Sequence, residues 1–442
     1  MGLRRLNPFA RLPNGKAVFA WGMYDLANQS FQLLINTLLF SLFVQDVVVG
    51  DPAEGKKAWG WMTAASLLVV VVLSPITGAI ADQRAWKREL LLASGVVCAV
   101  LTSCLSFLQP GQLPLAFVIY VIAAVACGLG ENFLGSFLPE ISTPKNVGYV
   151  SALGWTMSYV GALILLGLTA AYAFLLDRTE PAQMRPLLAF AGVWFLLGML
   201  PAAVTLRERA SPQNAGVATG TIVSRAFARL VESAKQTRKY RQLARFFLAF
   251  AVYSMGTMTV IYFLGLIGDG LGFELPQLIL MAGVVAIGAG ASSAATARVQ
   301  DKAGHVRTVS FFLVLWIGSC LAIGGSEALH APAWSFWVIG LVVGVALGGI
   351  GTASRAVVGA FTPEARAGEF FGIWGMVYKL AGMVGVLAFG QASALLGTAG
   401  AMGVVAMFFT GGLVLLWRVD EKEGVRAAGE AGASDPMPAR DA

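Results

Sequence analysis

Asp25, Asn28, Gln29, Gln32 and Asn36 interrupt an otherwise apolar run, FAWGMYDLANQSFQLLINTLLF, from Phe19 to Phe40. On an α-helix their spacing places them in one stripe along one face, about 16 Å long at 1.5 Å per residue. Such a stripe needs water or another polar surface opposite it. Glu131 and Asn132 break a second run, AFVIYVIAAVACGLGENFLGSFL. Counted from the run ends, Asp25 lies about 9 Å deep and Glu131 about 10 Å. Carboxyl groups in a medium of low dielectric resist ionisation, and two near each other resist it further. That is the chemistry of proton uptake. Glu131 is assigned the coupling proton, with Asp25 as its partner or as a substrate contact. Hydrogen bonds that tie helix ends together are the structural alternative for both.

Lys379 lies eleven residues, about 16 Å, inside a third apolar run. An ammonium at that depth calls for a carboxylate, a cavity or an anionic ligand. Trp155, Tyr159, Trp374 and Tyr378 stand at corresponding levels of two runs, as cavity lining or as packing. Carboxylates and an ammonium together fit a zwitterion better than a sugar. The expected substrate contacts are Lys379, Asn28, Gln29, Gln32, Asn36, Asn132, Trp155, Tyr159 and Tyr378.

The elements that must hold these groups follow from composition. Of 442 residues, 57% are hydrophobic and 12% charged, about half the charged share of a soluble domain. Runs long enough to cross a bilayer recur near 19–46, 58–81, 89–108, 113–138, 148–175, 186–204, 243–267, 275–297, 308–328, 333–358, 368–392 and 395–417. Continuous apolar runs indicate helices, since strands of a membrane barrel alternate over about ten residues. The fold class is therefore an all-α polytopic membrane protein with twelve spans. The first run is longer than the core of a signal peptide and reads as a retained span. On the side of the termini lie 26 of the 31 lysines and arginines, and four lie on the other side. This places both termini in the cytoplasm of a cell inner-membrane protein and explains the net charge of +7 without nucleic-acid binding.

The organisation reads as a six-helix bundle over 1–204, a cytoplasmic linker over 205–242, a second bundle over 243–417 and a disordered tail over 418–442. In the linker Phe227, Leu230, Val231 and Ala234 cluster as on an amphipathic helix. The halves resemble each other at a nearly constant offset: Asp82 with Asp301, Pro139-Glu140 with Pro363-Glu364, and Gly154 and Gly161 with Gly375 and Gly382. Same-sense repeats related by an axis along the membrane normal are implied. Small residues on spans five and eleven, Gly372 and Gly385 among them, suit close helix approach. Asp82 with Arg84, Lys87 and Arg88, and Asp301 with Lys302 and Arg307, suit charge networks that gate the cytoplasmic ends.

Other chemistry is not indicated. GDPAEGKK, Gly50 to Lys57, has phosphate-loop spacing but carries Lys57 where Ser or Thr belongs, and no strand precedes it. His305 and His330 have no partners at metal spacing. Cys98, Cys104, Cys127 and Cys320 lie in apolar runs and read as small core residues. No enzyme activity, cofactor or metal is expected, and the expected state is a monomer in lipid.

The loops GAIADQRAWKR and DKAGHVR resemble the signature of the major facilitator superfamily, with Gln83, Ala85 and Ala297 departing from it. AWGMYDLANQSF, NFLGSFLPEI, SALGWTMSYVG, SRAVVGAFTPE and GEFFGIWG are similar to bacterial relatives of the autophagy-related vacuolar effluxer family. The resemblance covers 19–417. It implies a secondary carrier, with amino-acid efflux attributed to fungal members, and adds Arg355 and Glu369 to the gating set. The expected function is a proton-coupled carrier of a small organic solute, an amino acid or related zwitterion, working by alternating access. The alternatives are an exporter of lipid or hydrophobic compounds and a receptor or scaffold that kept the fold without turnover.

Overall fold

The computed structural model describes residues 9, 12–143, 146–178, 180–208, 220, 221, 224, 228, 232, 240–326, 331–363 and 366–434, without the side chains at 82, 147–148, 152, 333, 367–369 and 431–434. Most of the linker, with its expected amphipathic helix, and His330 and Glu364 lie outside the described residues.

Every described element is helical. The long helices are α1 (Gly15–Val49), α2 (Pro52–Arg84), α3 (Lys87–Cys104), α4 (Leu113–Ser136), α5 (Val147–Leu175), α6 (Pro181–Thr205), α7 (Arg241–Asp269), α8 (Leu275–Ala303), α9 (His305–Gly325) and α10 (Ala333–Ala360). A last run, Ala367–Leu416, is 50 residues long, about 75 Å and more than twice a hydrocarbon core. Gly397 breaks it with φ 71° and ψ 178°, a conformation open to glycine and strained for other residues. Its arms are α11 (367–396) and α12 (398–416). Both arms touch one stretch of α7: a Cβ on Gly385 would lie 2.1 Å from Met255 O, and one on Gly256 would lie 2.7 Å from the Phe409 ring. The chain therefore doubles back at Gly397.

Among the described residues eleven helices are long and apolar enough to cross a membrane when the last run is taken as one. The break at Gly397 makes it two spans. The Gly50–Lys57 segment opens α2, where Asp51 accepts from Glu54 N at 2.8 Å and Lys57 pairs with Glu54 at 2.7 Å. It is a helix cap, as its lack of a preceding strand suggested.

Compactness divides the chain into one unit of residues 1–227 and 262–280 and a second of 228–261 and 281–442. The division cuts α7 and α8 instead of falling wholly in the 205–242 segment. The end of α7 joins the first unit through polar contacts. Gln45 Nε2 donates to Asp269 Oδ2 at 2.8 Å, and Trp59 Nε1 donates to Tyr262 O at 2.7 Å. Within this unit α1 packs on α5 and α6, α3 on α4 and α6, and α2 on α4. In the second, α9 packs on α10 and on the α11–α12 run.

The tail expected to be disordered instead forms a helix, α13 (Glu421–Ser434). Ala428 is buried, and Gly424 lies so close to Phe361 at the end of α10 that a Cβ would sit 2.7 Å from the ring. Its start is fixed by polar contacts that hydropathy does not register. Gln242 Oε1 accepts from Asp420 N at 2.9 Å, and Gln242 Nε2 donates to Glu423 Oε2. Residues 435–442 lie outside the description.

Candidate functional site

The polar stripe of α1 sits where the helix leaves α geometry. Residues Ser30–Leu38 wind as a π-helix, a wider turn that often occurs at functional positions. Thr37 Oγ1 caps one loosened carbonyl, donating to Gln32 O at 3.0 Å. Aromatic and hydroxyl side chains fix α1 against its neighbours. Trp21 Nε1 donates to Leu134 O of α4 at 2.8 Å, and Ser30 Oγ donates to Ala191 O of α6 at 2.8 Å. On the α5 side, a Cβ on Gly161 would lie 2.5 Å from Leu26 O, so the small residue lets the helices meet backbone to backbone.

The stripe expected on one face divides between two helices. Asn28, Gln32 and Asn36 meet α4: Asn28 Nδ2 donates to Glu131 Oε1 at 2.9 Å, and Gln32 Nε2 donates to the same oxygen at 2.6 Å. Asn36 Nδ2 donates to Gln32 Oε1 at 2.8 Å, and Tyr120 OH donates to Asn36 Oδ1 at 3.0 Å. Cys127 Sγ closes the other end, donating to Asn28 Oδ1 at 3.0 Å. Gln29 turns instead to α5, donating to Ser158 Oγ at 2.6 Å. One residue on from Asn28, Gln29 is turned about 100° around the helix and so meets a different neighbour.

The chain of donors therefore runs from Tyr120 through Asn36 and Gln32 to Glu131, with a shorter branch from Cys127 through Asn28. Asn28 and Asn36 are 1% and 3% exposed, so this polarity is satisfied inside the bundle, as buried polar groups must be. Glu131 Oε2 and both oxygens of Asp25 make no hydrogen bond or ion pair with a described residue. Asn132 faces the other way, exposed, donating to Ser74 Oγ of α2 at 2.8 Å.

Tyr120 and Cys127 were not among the expected site residues. Cys127 is more than a small core residue, since its thiol belongs to the chain. Tyr120 lies eleven residues before Glu131, three helical turns, and that spacing was the signal for it.

In the second unit the corresponding levels carry rings. Trp374 and Tyr378 stack with centroids 6.4 Å apart, and Phe250 of α7 lies 5.5 Å from Trp374 and 5.8 Å from Tyr378. The guanidinium of Arg355 stands 5.7 Å over Trp374, and Tyr253 OH and Ser354 Oγ are 2.7 Å apart. The buried Trp374 Nε1 has no hydrogen-bond partner among the described residues. Lys379, next along α11, is half-buried and makes no hydrogen bond or ion pair with a described residue. In the first unit Trp155 and Tyr159 form the equivalent pair, 6.3 Å apart, with Trp155 exposed.

The expected gating groups are only partly gathered. Arg88 Nη2 donates to Ala203 O at 2.6 Å, and Arg84 lies over Trp86 at 5.4 Å. Asp301, Lys302 and Arg307 are exposed and form no ion pair with one another. The side chains of Asp82 and Glu369 lie outside the description. Two glutamates that sequence reasoning missed hold these loops. Glu208 Oε2 accepts from Lys87 N at 2.8 Å at the start of α3. Glu421 accepts from His305 N at 2.8 Å and Val306 N at 3.0 Å at the start of α9. Each follows the last span of its half, and each caps a helix N-terminus whose free N–H groups and dipole attract a carboxylate. Burial outweighs the donors at Glu208 and pushes its carboxyl above the usual range. Lys87 also pairs with Glu140 at 3.2 Å. Among the described residues no cluster of three His, Cys, Asp or Glu offers a metal site.

With this geometry the chain can be set beside known proteins. Its fold is similar to that of the nucleoside transporter NupG (TM-score 0.69, 14% identity, 91% of this chain and 98% of that one). It is also similar to a D-xylose-proton symporter (TM-score 0.66, 14% identity, 95% and 98%). In sequence it is 26% identical over 415 residues to the uncharacterized MFS-type transporter YxiO of Bacillus subtilis, covering 91% of this chain and 94% of that protein. It is 21% identical over 405 residues to autophagy-related protein 22 of Yarrowia lipolytica, covering 73% and 68%. The family model described as Vacuole effluxer Atg22 like matches residues 60–429. The chain, an all-α polytopic membrane protein of the major facilitator type, belongs to that family.

Proposed function

We propose that the protein is a secondary active carrier of a small organic solute bearing both charges, an amino acid or a close relative, driven by protons through alternating access. The observation that carries this reading is the Glu131 site. Two amides converge on a carboxylate inside a membrane-spanning bundle, Asp25 has no donor among the described residues, and no described basic side chain pairs with either. Charges cost about 2.5 to 3.5 kcal/mol each at a helix centre on an insertion scale. A scaffold without turnover gains nothing that would offset this.

The first unit offers carboxylates, and the second offers the Lys379 ammonium with aromatic rings beside it. In this reading Asn28, Gln32 and Asn36 serve binding by holding Glu131, Gln29 and Ser158 by holding α1 to α5, and Lys379 by meeting the anionic group. Both termini face the cytoplasm, and the protein works as a monomer in the plasma membrane.

The test is solute accumulation by purified protein in liposomes across an imposed pH gradient. Wild type is expected to concentrate at least one amino acid, and the double variant Asp25→Asn/Glu131→Gln none. Equal accumulation by the double variant would remove the carboxyl pair from coupling. No gradient-driven uptake of any amino acid would remove the substrate class.

A further inference from the structure

The two carboxyl groups of the first unit differ in what surrounds them, and the difference divides the work between them. We infer that Glu131, an acceptor for two fixed amide donors, presents Oε2 to the ammonium of an amine-bearing solute, while Asp25 takes up and releases the coupling proton. This rests on the carrier reading above and reverses the assignment expected from sequence.

Glu131 Oε1 accepts two N–H bonds, from Asn28 at 2.9 Å and Gln32 at 2.6 Å. Neither amide can turn to offer its oxygen without breaking the chain behind it. Asn28 Oδ1 receives the Cys127 thiol at 3.0 Å, and Gln32 Oε1 receives Asn36 at 2.8 Å, itself held by Tyr120 at 3.0 Å. Donors fixed in this direction favour the charged acceptor, since an ionised carboxylate accepts only and a protonated one must also donate. The π-helical winding of residues 30–38 carries Gln32 and Asn36 in this chain. The result is a carboxylate with one oxygen satisfied and one open. A half-buried anion inside a membrane-spanning bundle, held by neutral amides alone, is electrostatically incomplete, and an ammonium completes it.

Asp25 receives no donor from any described residue. Among the described residues the charged side chain that bears on Asp25 is Glu131 of α4. With no described donor to its anion and a negative charge nearby, Asp25 is the group on which a proton is held. Arrival of an ammonium at Glu131 offsets that charge and favours ionisation of Asp25. Solute binding and proton release are thereby linked, with one O–H bond of the Asp25 carboxyl broken and the proton passed to water.

The first test needs no transported solute. Protonated carboxyl groups give an infrared carbonyl band, followed here against pH in liposomes of the purified full-length protein. The titrating band is expected to persist in Glu131→Gln and vanish in Asp25→Asn, with Asp25→Ser as the second variant should the first not purify. Loss of the band in Glu131→Gln with its retention in Asp25→Asn would overturn the assignment. The second test measures thermal unfolding with free α-amino acids and with their N-acetyl derivatives, which lack the ammonium. Stabilisation is expected from a free amino acid at concentrations about tenfold below those of its N-acetyl form, with the difference lost in Glu131→Gln. Equal stabilisation by both forms, or by neither, would overturn the ammonium contact. If both tests succeed while gradient-driven uptake fails, the carrier reading falls and the division between the carboxyl groups stands.

Discussion

The two units share a scaffold and differ in chemistry. In each, the fifth helix of the half meets the first through a glycine against a backbone carbonyl: Gly161 on Leu26 O and Gly385 on Met255 O. In each, a glutamate beyond the last span caps the third helix, and a Trp–Tyr pair one turn apart faces the same level. The polar groups do not repeat. The first unit gathers amides on a carboxylate. The second gathers rings beside Arg355 and Lys379. The repeat aligns Ser158 with Lys379. Ser158 is satisfied inside its unit by Gln29, whereas Lys379 has no described partner. Packing demands symmetric small residues.

The shared scaffold is the part whose loss should cost most. Gly161→Leu and Gly385→Leu each force a side chain where a backbone carbonyl lies 2.5 Å and 2.1 Å from a Cβ, and overpacking of that kind costs about 3 kcal/mol or more. Folded protein, measured as the monodisperse fraction of a fluorescent fusion on size exclusion, should be nearly lost in both. Gly375→Ala is the control, because nothing lies within 4 Å of its Cβ position, and its yield should match wild type. A loss confined to one unit would break the idea that both depend on the same approach.

The polar groups that do not repeat come next. If the proposed substrate class holds, Lys379→Met should weaken affinity for the amino acid about tenfold while keeping yield, as loss of a charged hydrogen bond does. Lys379→Arg should restore only part of it, since a planar fork replaces a point charge. If Lys379→Met lowers yield and leaves affinity intact, the ammonium is structural and the comparison with Ser158 teaches only packing. Tyr120→Phe reaches those of the first unit more gently. It removes the donor to Asn36 Oδ1, leaves that buried oxygen unpaired at a cost of about 1 kcal/mol, and should slow uptake severalfold without abolishing coupling.

How much of this was legible in the sequence follows from which signals are periodic. Span positions and the doubling were legible because hydropathy and spaced glycines repeat. Asp25, Glu131 and Lys379 were legible because charge is conspicuous in apolar runs. The division of the α1 stripe was not, since Asn28 and Gln29, adjacent in sequence and about 100° apart around the helix, were assigned to one face. Nor was the reach of Gln45 to Asp269, which are 224 residues apart. The caps at Glu208 and Glu421 were hidden because they lie among other charges of a linker and a tail, where charge alone marks nothing.

Those two caps also differ, and the difference sets the smallest expected effect. Glu421 uses both oxygens, on His305 N and Val306 N. Glu208 Oε1 is buried without a partner, and its carboxyl is pushed up by burial. A charged cap at a helix N-terminus is worth about 0.3 to 1 kcal/mol. Glu421→Gln should therefore lower the thermal unfolding temperature of the purified protein by a degree or two, roughly the shift of a sub-kilocalorie change in a chain larger than 250 residues. Glu208→Gln should lower it less at neutral pH. The two should also part with pH. A carboxyl raised in the folded state adds stability that is present below its unfolded value and lost as pH rises through the folded one. Wild type should thus gain on Glu208→Gln as the medium is acidified from neutral toward the carboxylate range. A difference between wild type and Glu208→Gln that stays constant over that range would mean that the buried Glu208 oxygen carries no penalty and that the two caps are equivalent after all.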